Sequence, residues 1–103
     1  MTLLAIGVNY NTSPLAIRER LALPTEHLSA ALIDLRKKSG INEIAILSTC
    51  NRTEFYCRLN CDNQQIIIDW ITNHSNLPQD EIAPYLYCHT GPELIRHMFR
   101  VAC

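Results

Sequence analysis

Residues Thr2 to Val8 form a nearly continuous apolar run, Thr-Leu-Leu-Ala-Ile-Gly-Val, and this segment limits the fold more than any other. A strand with no polar face is buried on both faces, so it belongs in the middle of a sheet. The turn-forming residues from Asn9 to Pro14 end it. The rest of the chain must supply the neighbouring strands and their cover. With 103 residues, 48% of them hydrophobic, the chain is long enough for one core and too short for two.

Beyond Pro24, Thr25 is placed to cap a helix in which Leu28, Ala31, Leu32 and Leu35 recur at helical spacing. Arg36, Lys37 and Lys38 suit its C-terminal end and Gly40 its stop. Glu43 to Leu47 reads as a second strand. Phe55 to Leu59 reads as a third, with Phe55, Cys57 and Leu59 facing one way and Tyr56 and Arg58 the other, and the two are expected to pair as a hairpin. Asp62 to His74 reads as a helix with Ile67, Trp70, Ile71 and His74 on one face and Asp62 and Gln65 as a capping pair, although Ile66-Ile67-Ile68 also suits a strand. A polar, proline-bounded stretch from Ser75 to Pro84 precedes a short strand, Tyr85 to Cys88. Thr90 and Glu93 then form a capping box, with Pro92 in the first turn of a last helix. The order β-α-β-β-α-β-α predicts an α+β fold, a ferredoxin-like four-stranded antiparallel sheet with helices packed on one face. The chain stops inside an apolar helical pattern without a closing glycine, so we expect a truncated piece of a longer protein.

A formal charge of -1 gives no general attraction to polyanions, so DNA is not an expected partner and any nucleic-acid contact must be local. No apolar run approaches the roughly 20 residues of a membrane span, and the N-terminus lacks a basic signal region, which predicts a cytoplasmic protein. Five cysteines without a Cys-x-x-Cys pair argue against a disulfide framework and a zinc ribbon. His27, His74 and His89 have no partner at metal-ligand spacing, so no metal site is expected. Cys57 and Cys88 read as core, and Cys61 and Cys103 as element ends. The glycines at 7, 40 and 91 are too scattered to cradle a pyrophosphate, so no cofactor-binding residue is expected in this chain.

Ser48-Thr49-Cys50-Asn51-Arg52-Thr53-Glu54 is the densest run of polar and reactive groups, set where the second strand ends and the third begins. A turn there can present a thiol at the rim of the sheet. A neighbouring guanidinium favours the thiolate, and hydroxyls or backbone amides can hold an oxyanion, which makes Arg52, Thr49 and Ser48 the candidates. The residues alone also allow a plainer reading, with Cys50 a small strand-end residue and Arg52 a surface charge.

This segment is similar to the signature around the nucleophilic cysteine of glutamyl-tRNA reductases. Leu4-Ala5-Ile6-Gly7-Val8-Asn9, then Thr12-Ser13-Pro14 and Ile17-Arg18-Glu19, resembles the family's first strand and following short helix. His97-Met98-Phe99-Arg100-Val101-Ala102 resembles the start of the helix bearing its active-site histidine. Tyr10 and Asn11 depart from the His-Lys pair common after the first strand, and Cys103 stands where serine is usual. The resemblance covers residues 1–103 as an N-terminal catalytic domain. It implies that Cys50 attacks the aminoacyl ester of glutamyl-tRNA to form a glutamyl thioester, which NADPH reduces to glutamate-1-semialdehyde, the entry to tetrapyrrole synthesis. It makes Cys50 and His97 catalytic, and Ser48, Thr49, Asn51, Arg52 and Thr12 substrate-binding. NADPH-binding and homodimer-forming domains would lie in a missing C-terminal part, so this piece alone should not complete the reduction.

On a helical wheel Leu94, Ile95, Met98, Phe99, Val101 and Ala102 form an apolar face with His97 at its border, where Glu93 one turn earlier could favour the imidazolium. Arg52 has two possible roles, pairing with a substrate carboxylate or lowering the Cys50 pKa. The main rival is a noncatalytic ferredoxin-like module that binds RNA or a regulator; few aromatics and an aliphatic first strand count against it. A haem-binding domain is a weaker rival, since no haem-attachment pattern is present.

Overall fold

The computed structural model describes residues 2–60 and 63–102. Asp62, expected as a cap, and Cys61 and Cys103 lie outside them. The elements run β1 (Thr2–Asn9), α1 (Leu15–Leu21), α2 (Thr25–Arg36), β2 (Ile41–Ser48), β3 (Arg52–Leu59), α3 (Gln65–Ser75), α4 (Gln79–Ile82), a 3₁₀ turn (Ala83–Tyr85), β4 (Tyr87–Thr90) and α5 (Gly91–Ala102). The strands form one antiparallel sheet in the order β2-β3-β1-β4, which is the ferredoxin-like arrangement with β1 inside.

The apolar run of β1 conceals a second pattern, because its two faces differ in size. Leu4, Ile6 and Val8 join Phe55, Cys57 and Leu59 of β3 in a core covered by Leu21, Ala31, Leu35, Ile67, Trp70, Ile71 and Ile82. Burial of each large aliphatic side chain contributes about 1.5–3 kcal/mol, so this layer of helices holds the sheet. Trp70 packs edge-on to Phe55 at 5.7 Å and donates its Nε1–H to Asp34 at 2.7 Å, which ties α3 to α2.

The opposite face of β1 presents Ala5 and Gly7. Ala5 pairs with Tyr56 on one side and His89 on the other, and Gly7 with Glu54 and Tyr87. Two small residues in the central strand thus leave a trough between larger polar and aromatic groups. The backbones also come close here: a Cβ on Gly7 would lie 2.2 Å from the Thr53 carbonyl oxygen.

Helix α5 fills this trough, so it does not share the layer of the other helices as expected. No residue separates β4 from α5, and the chain reverses at Gly91, whose φ of 54° suits glycine. The face that α5 buries also differs from the wheel. Leu94 and His97 are buried, whereas Ile95, Met98 and Phe99 are exposed. The surface beneath is small and polar, and it takes the histidine edge of the helix instead of its most apolar side.

Smaller departures have local causes. Pro24, not Thr25, flanks the start of α2, and no side chain caps it. Gly40 does end the helix region, at a φ of 98°. The polar stretch after Ser75 contains α4, whose start is marked by Pro78 with Asp80 and Glu81 in the first turn. Tyr85 belongs to the 3₁₀ turn, and β4 begins at Tyr87. Cys57 is core, and burial with a smaller effect of Cys88 pushes its thiol up to about 12. Cys88 is exposed, because β4 is an edge strand. Among the described residues no helix is long and apolar enough to cross a membrane, and no group of three or more His, Cys, Asp or Glu could hold a metal ion.

Candidate active site

The β2–β3 turn is built by its own polar groups. The Thr49 N–H donates to the Arg52 carbonyl at 2.7 Å, leaving Cys50 and Asn51 at the tip. Tight hairpin turns commonly rely on positive φ, which no residue of this turn has. The Thr49 hydroxyl compensates by accepting the N–H groups of Asn51 and Arg52 at 3.2 and 3.3 Å. The Ser48 hydroxyl accepts the Leu23 N–H at 2.9 Å and bonds the Thr53 hydroxyl at 3.1 Å. Both hydroxyls offered by the sequence as oxyanion donors are thus engaged in holding the turn. The result is an exposed Cys50 beside an exposed Asn51.

A second polar turn follows β1. Asn9 Oδ1 accepts the N–H groups of Asn11 and Thr12 at 2.9 and 3.1 Å, while the Thr12 hydroxyl accepts the Asn9 N–H at 3.0 Å. Thr12 therefore braces this turn. Because Asn9 pairs with Arg52, the two turns stand side by side at one end of the sheet. Asn9, Tyr10, Asn11, Arg52, His97, Arg100 and Val101 line a cleft of about 280 Å³. Cys50 lies two residues from Arg52, a reach of at most about 7 Å of extended chain.

Behind the cleft lies a group the sequence reading passed over. Glu54, 0% exposed, sits on the trough face of β3. Its Oε1 accepts the Tyr56 hydroxyl at 3.0 Å and the Arg52 guanidinium at 3.4 Å. Its Oε2 accepts the Tyr87 hydroxyl at 2.6 Å and the Nε2–H of His97. Burial by itself would push the carboxyl up. Hydrogen bonds from Tyr87 and His97, the charge of His97 and the Tyr56 hydroxyl outweigh it and hold the group below its ordinary value. Burial, together with the Glu54 charge and hydrogen bonds, raises Tyr56 and Tyr87, so both remain phenols that donate.

An ionised carboxylate only accepts, so His97 must carry hydrogen on Nε2, and Nδ1 is the ring nitrogen left for other chemistry. His97 is 6% exposed yet lines the cleft. Its carboxylate partner is Glu54 across the trough, while Glu93, the partner expected one turn earlier on α5, is held by Arg96 at 2.7 Å. Alternation along β3 and β4 sets Glu54 beside Tyr56 and Tyr87 beside His89, but the expected strands began at Phe55 and ended at Cys88, and nothing in the sequence showed that a helix would cover this face.

The site brings Arg52 and His97 together and places the Cys50–Asn51 tip at the adjoining rim; Ser48, Thr49 and Thr12 support the two turns. Comparisons with known proteins agree with this architecture. The family model described as the N-terminal domain of glutamyl-tRNA(Glu) reductase matches residues 6–103. The glutamyl-tRNA reductase of Methylococcus capsulatus is 50% identical over 103 residues, covering 100% of this chain and 24% of that protein. That of Pseudoalteromonas translucida is 42% identical over 103 residues, covering 100% of this chain and 25% of that protein. The chain therefore spans about a quarter of the length of these curated relatives. Among solved structures, the glutamyl-tRNA reductase from Methanopyrus kandleri has the same fold, with a TM-score of 0.71 and 23% identity over 97% of this chain and 22% of that one. Taken with a sequence match along the whole chain, these likenesses show that it belongs to the family of the glutamyl-tRNA reductase N-terminal domain.

Proposed function

We propose that this domain receives the aminoacylated end of glutamyl-tRNA and transfers the glutamyl group to Cys50, as the first half of an NADPH-dependent glutamyl-tRNA reductase reaction that yields glutamate-1-semialdehyde. The observation that carries this reading is an exposed thiol on a braced turn, two residues from Arg52, which lines a cleft together with His97.

The chemistry balances within these groups. The Cys50 thiolate attacks the ester carbonyl, and a C–S bond forms as the C–O bond to the terminal ribose breaks. One proton leaves the thiol and one is needed by the ribose oxygen. Nδ1 of His97 is the nitrogen able to take the first and supply the second, with Glu54 stabilising the imidazolium in between. Arg52 lines the cleft and offers a planar fork to the glutamyl carboxylate, and Glu54 fixes its orientation. Of the two roles open to Arg52, its position favours carboxylate binding. Asn51 offers a polar contact beside the sulfur, and Ser48, Thr49 and Thr12 keep the turns in place.

None of the three described glycines suits a cradle for a nicotinamide dinucleotide. Gly7 is closed in by Thr53, Gly40 faces the Ile66 side chain, and Gly91 precedes Pro92, which has no N–H for a phosphate. In this reading NADPH and the dimer contacts belong to parts of a longer cytoplasmic enzyme outside these 103 residues.

Incubation with a glutamyl ester followed by intact-mass spectrometry tests the proposal. A glutamyl adduct is expected on the wild-type chain and on Cys57→Ser, but not on Cys50→Ser; an adduct surviving in Cys50→Ser refutes it. If tRNA binds but neither Cys50→Ser nor Arg52→Ala changes labelling or affinity, the noncatalytic module replaces this reading.

A further inference from the structure

His89 has no part in the reaction as written, yet its ring lies closer to His97 than any other. The two centroids are 4.4 Å apart with the planes tilted by 30°. Tyr87 stands against both, 5.4 Å from His97 and 5.1 Å from His89, and Tyr56 closes the far side of His97 at 6.5 Å. The placement follows from the trough: Ala5, fully buried, pairs with both His89 and Tyr56, so the two rings flank a gap into which the His97 ring descends from α5.

A hydrogen bond at one nitrogen fixes where that edge of an imidazole lies but leaves the ring free to swing about it. Glu54 anchors Nε2. A flat ring packed at a tilt against the imidazole removes the remaining freedom, and such an aromatic contact is enough to bias the ring's rotation severalfold. We propose that His89 is a positioning residue for His97: packed at a tilt against its ring, it stops the ring from turning about the Nε2–Glu54 contact and thereby keeps Nδ1 available for proton exchange in the cleft.

The charges around the pair fit this division. On β3 the imidazoles face Glu54, Tyr56 and Arg52, on β4 Tyr87, and on α5 Glu93 and Arg100, with Tyr10 across the cleft. Burial, then the charge of His97 and that of Arg100, push His89 below the ordinary histidine value despite the opposing pull of Glu54 and Glu93. The shift favours the neutral form of His89 and so limits charge repulsion between the two adjacent rings.

The proposal takes its importance from the reading of His97 as the proton carrier, but its geometry does not depend on that reading, and it is tested without any acyl transfer. In the isotope-labelled chain, long-range imidazole correlations report the tautomer of His97, and NOEs from its ring protons report which way the ring faces. The wild type should show Nε2–H, fixed by Glu54, and one set of ring NOEs to Tyr56 and Tyr87. His89→Phe, which keeps a flat ring, should retain that set, whereas His89→Ala and His89→Thr should keep the tautomer but lose the single set of ring NOEs to averaging. Thr suits an edge strand and guards against misfolding in the Ala variant, and amide spectra verify the fold of each. An unchanged set of His97 ring NOEs in the folded Ala or Thr protein overturns the proposal, as does its loss in folded His89→Phe. Failure of Cys50 labelling would leave this result intact, so the two readings fail separately.

Discussion

The Cys50 turn and the Glu54 cluster are four residues apart in sequence and built on opposite principles. The turn is exposed and held mainly by groups within a few residues of one another, chiefly the Thr49 hydroxyl, with one longer tie from the Leu23 N–H to Ser48. The cluster is buried and assembled from β3, β4 and α5, with partners 33 and 43 residues away from Glu54. A reactive atom can sit on a small local frame if it needs only access. A proton carrier needs a fixed tautomer and a screened counter-charge, which only a packed, long-range environment supplies.

The sharpest way to separate the two is to remove their central atoms. Cys50→Ser should abolish thioester formation while changing stability by less than about 0.5 kcal/mol, as expected of an exposed site. Mass spectrometry and urea unfolding of the same protein check both. Glu54→Gln should do the reverse to the fold, destabilising it by about 3 kcal/mol, since one member of a buried charged network loses its partners. Equal destabilisation by the two substitutions would erase the distinction.

Three smaller effects sharpen it. Gly7→Ala should cost about 2 kcal/mol, because the added methyl group meets the Thr53 backbone where β1 passes Glu54, and the backbone cannot move aside cheaply. The pH dependence should also carry the mark of Glu54. Its folded pKa is depressed, so its stabilisation is fully present above the unfolded value and disappears as pH falls through the folded one. Wild-type stability should therefore fall in acid below the ordinary carboxylate range, and Glu54→Gln should flatten that limb of a urea-midpoint against pH plot. At the small end, Thr49→Ala should cost about 1 kcal/mol through two lost acceptor contacts, with Thr49→Ser close to wild type.

Much of the fold was legible because its signals are local. The apolar run of Thr2 to Val8, the alternation of Phe55, Cys57 and Leu59, and the helical spacing of Leu28, Ala31 and Leu35 each report a period that the backbone geometry dictates. That Cys50 and Arg52 share the turn between β2 and β3 was legible for a similar reason, as one contiguous segment. The Ile95, Met98 and Phe99 face misled, because a helical wheel reports which side of a helix is apolar and not which surface it will meet.

The sequence by itself determined the strands, the sheet's helical cover and the turn that displays the thiol, since all of these follow from neighbours a few residues apart. Only the tertiary structure decided that α5 would cross to the other face, and with it that Glu54, Tyr87, His89 and His97 would share one buried space. That decision rests on Ala5 and Gly7 being small enough to leave a trough in the central strand, and on a reversal at Gly91 that points α5 into it. Such complementarity between distant surfaces has no period along the chain.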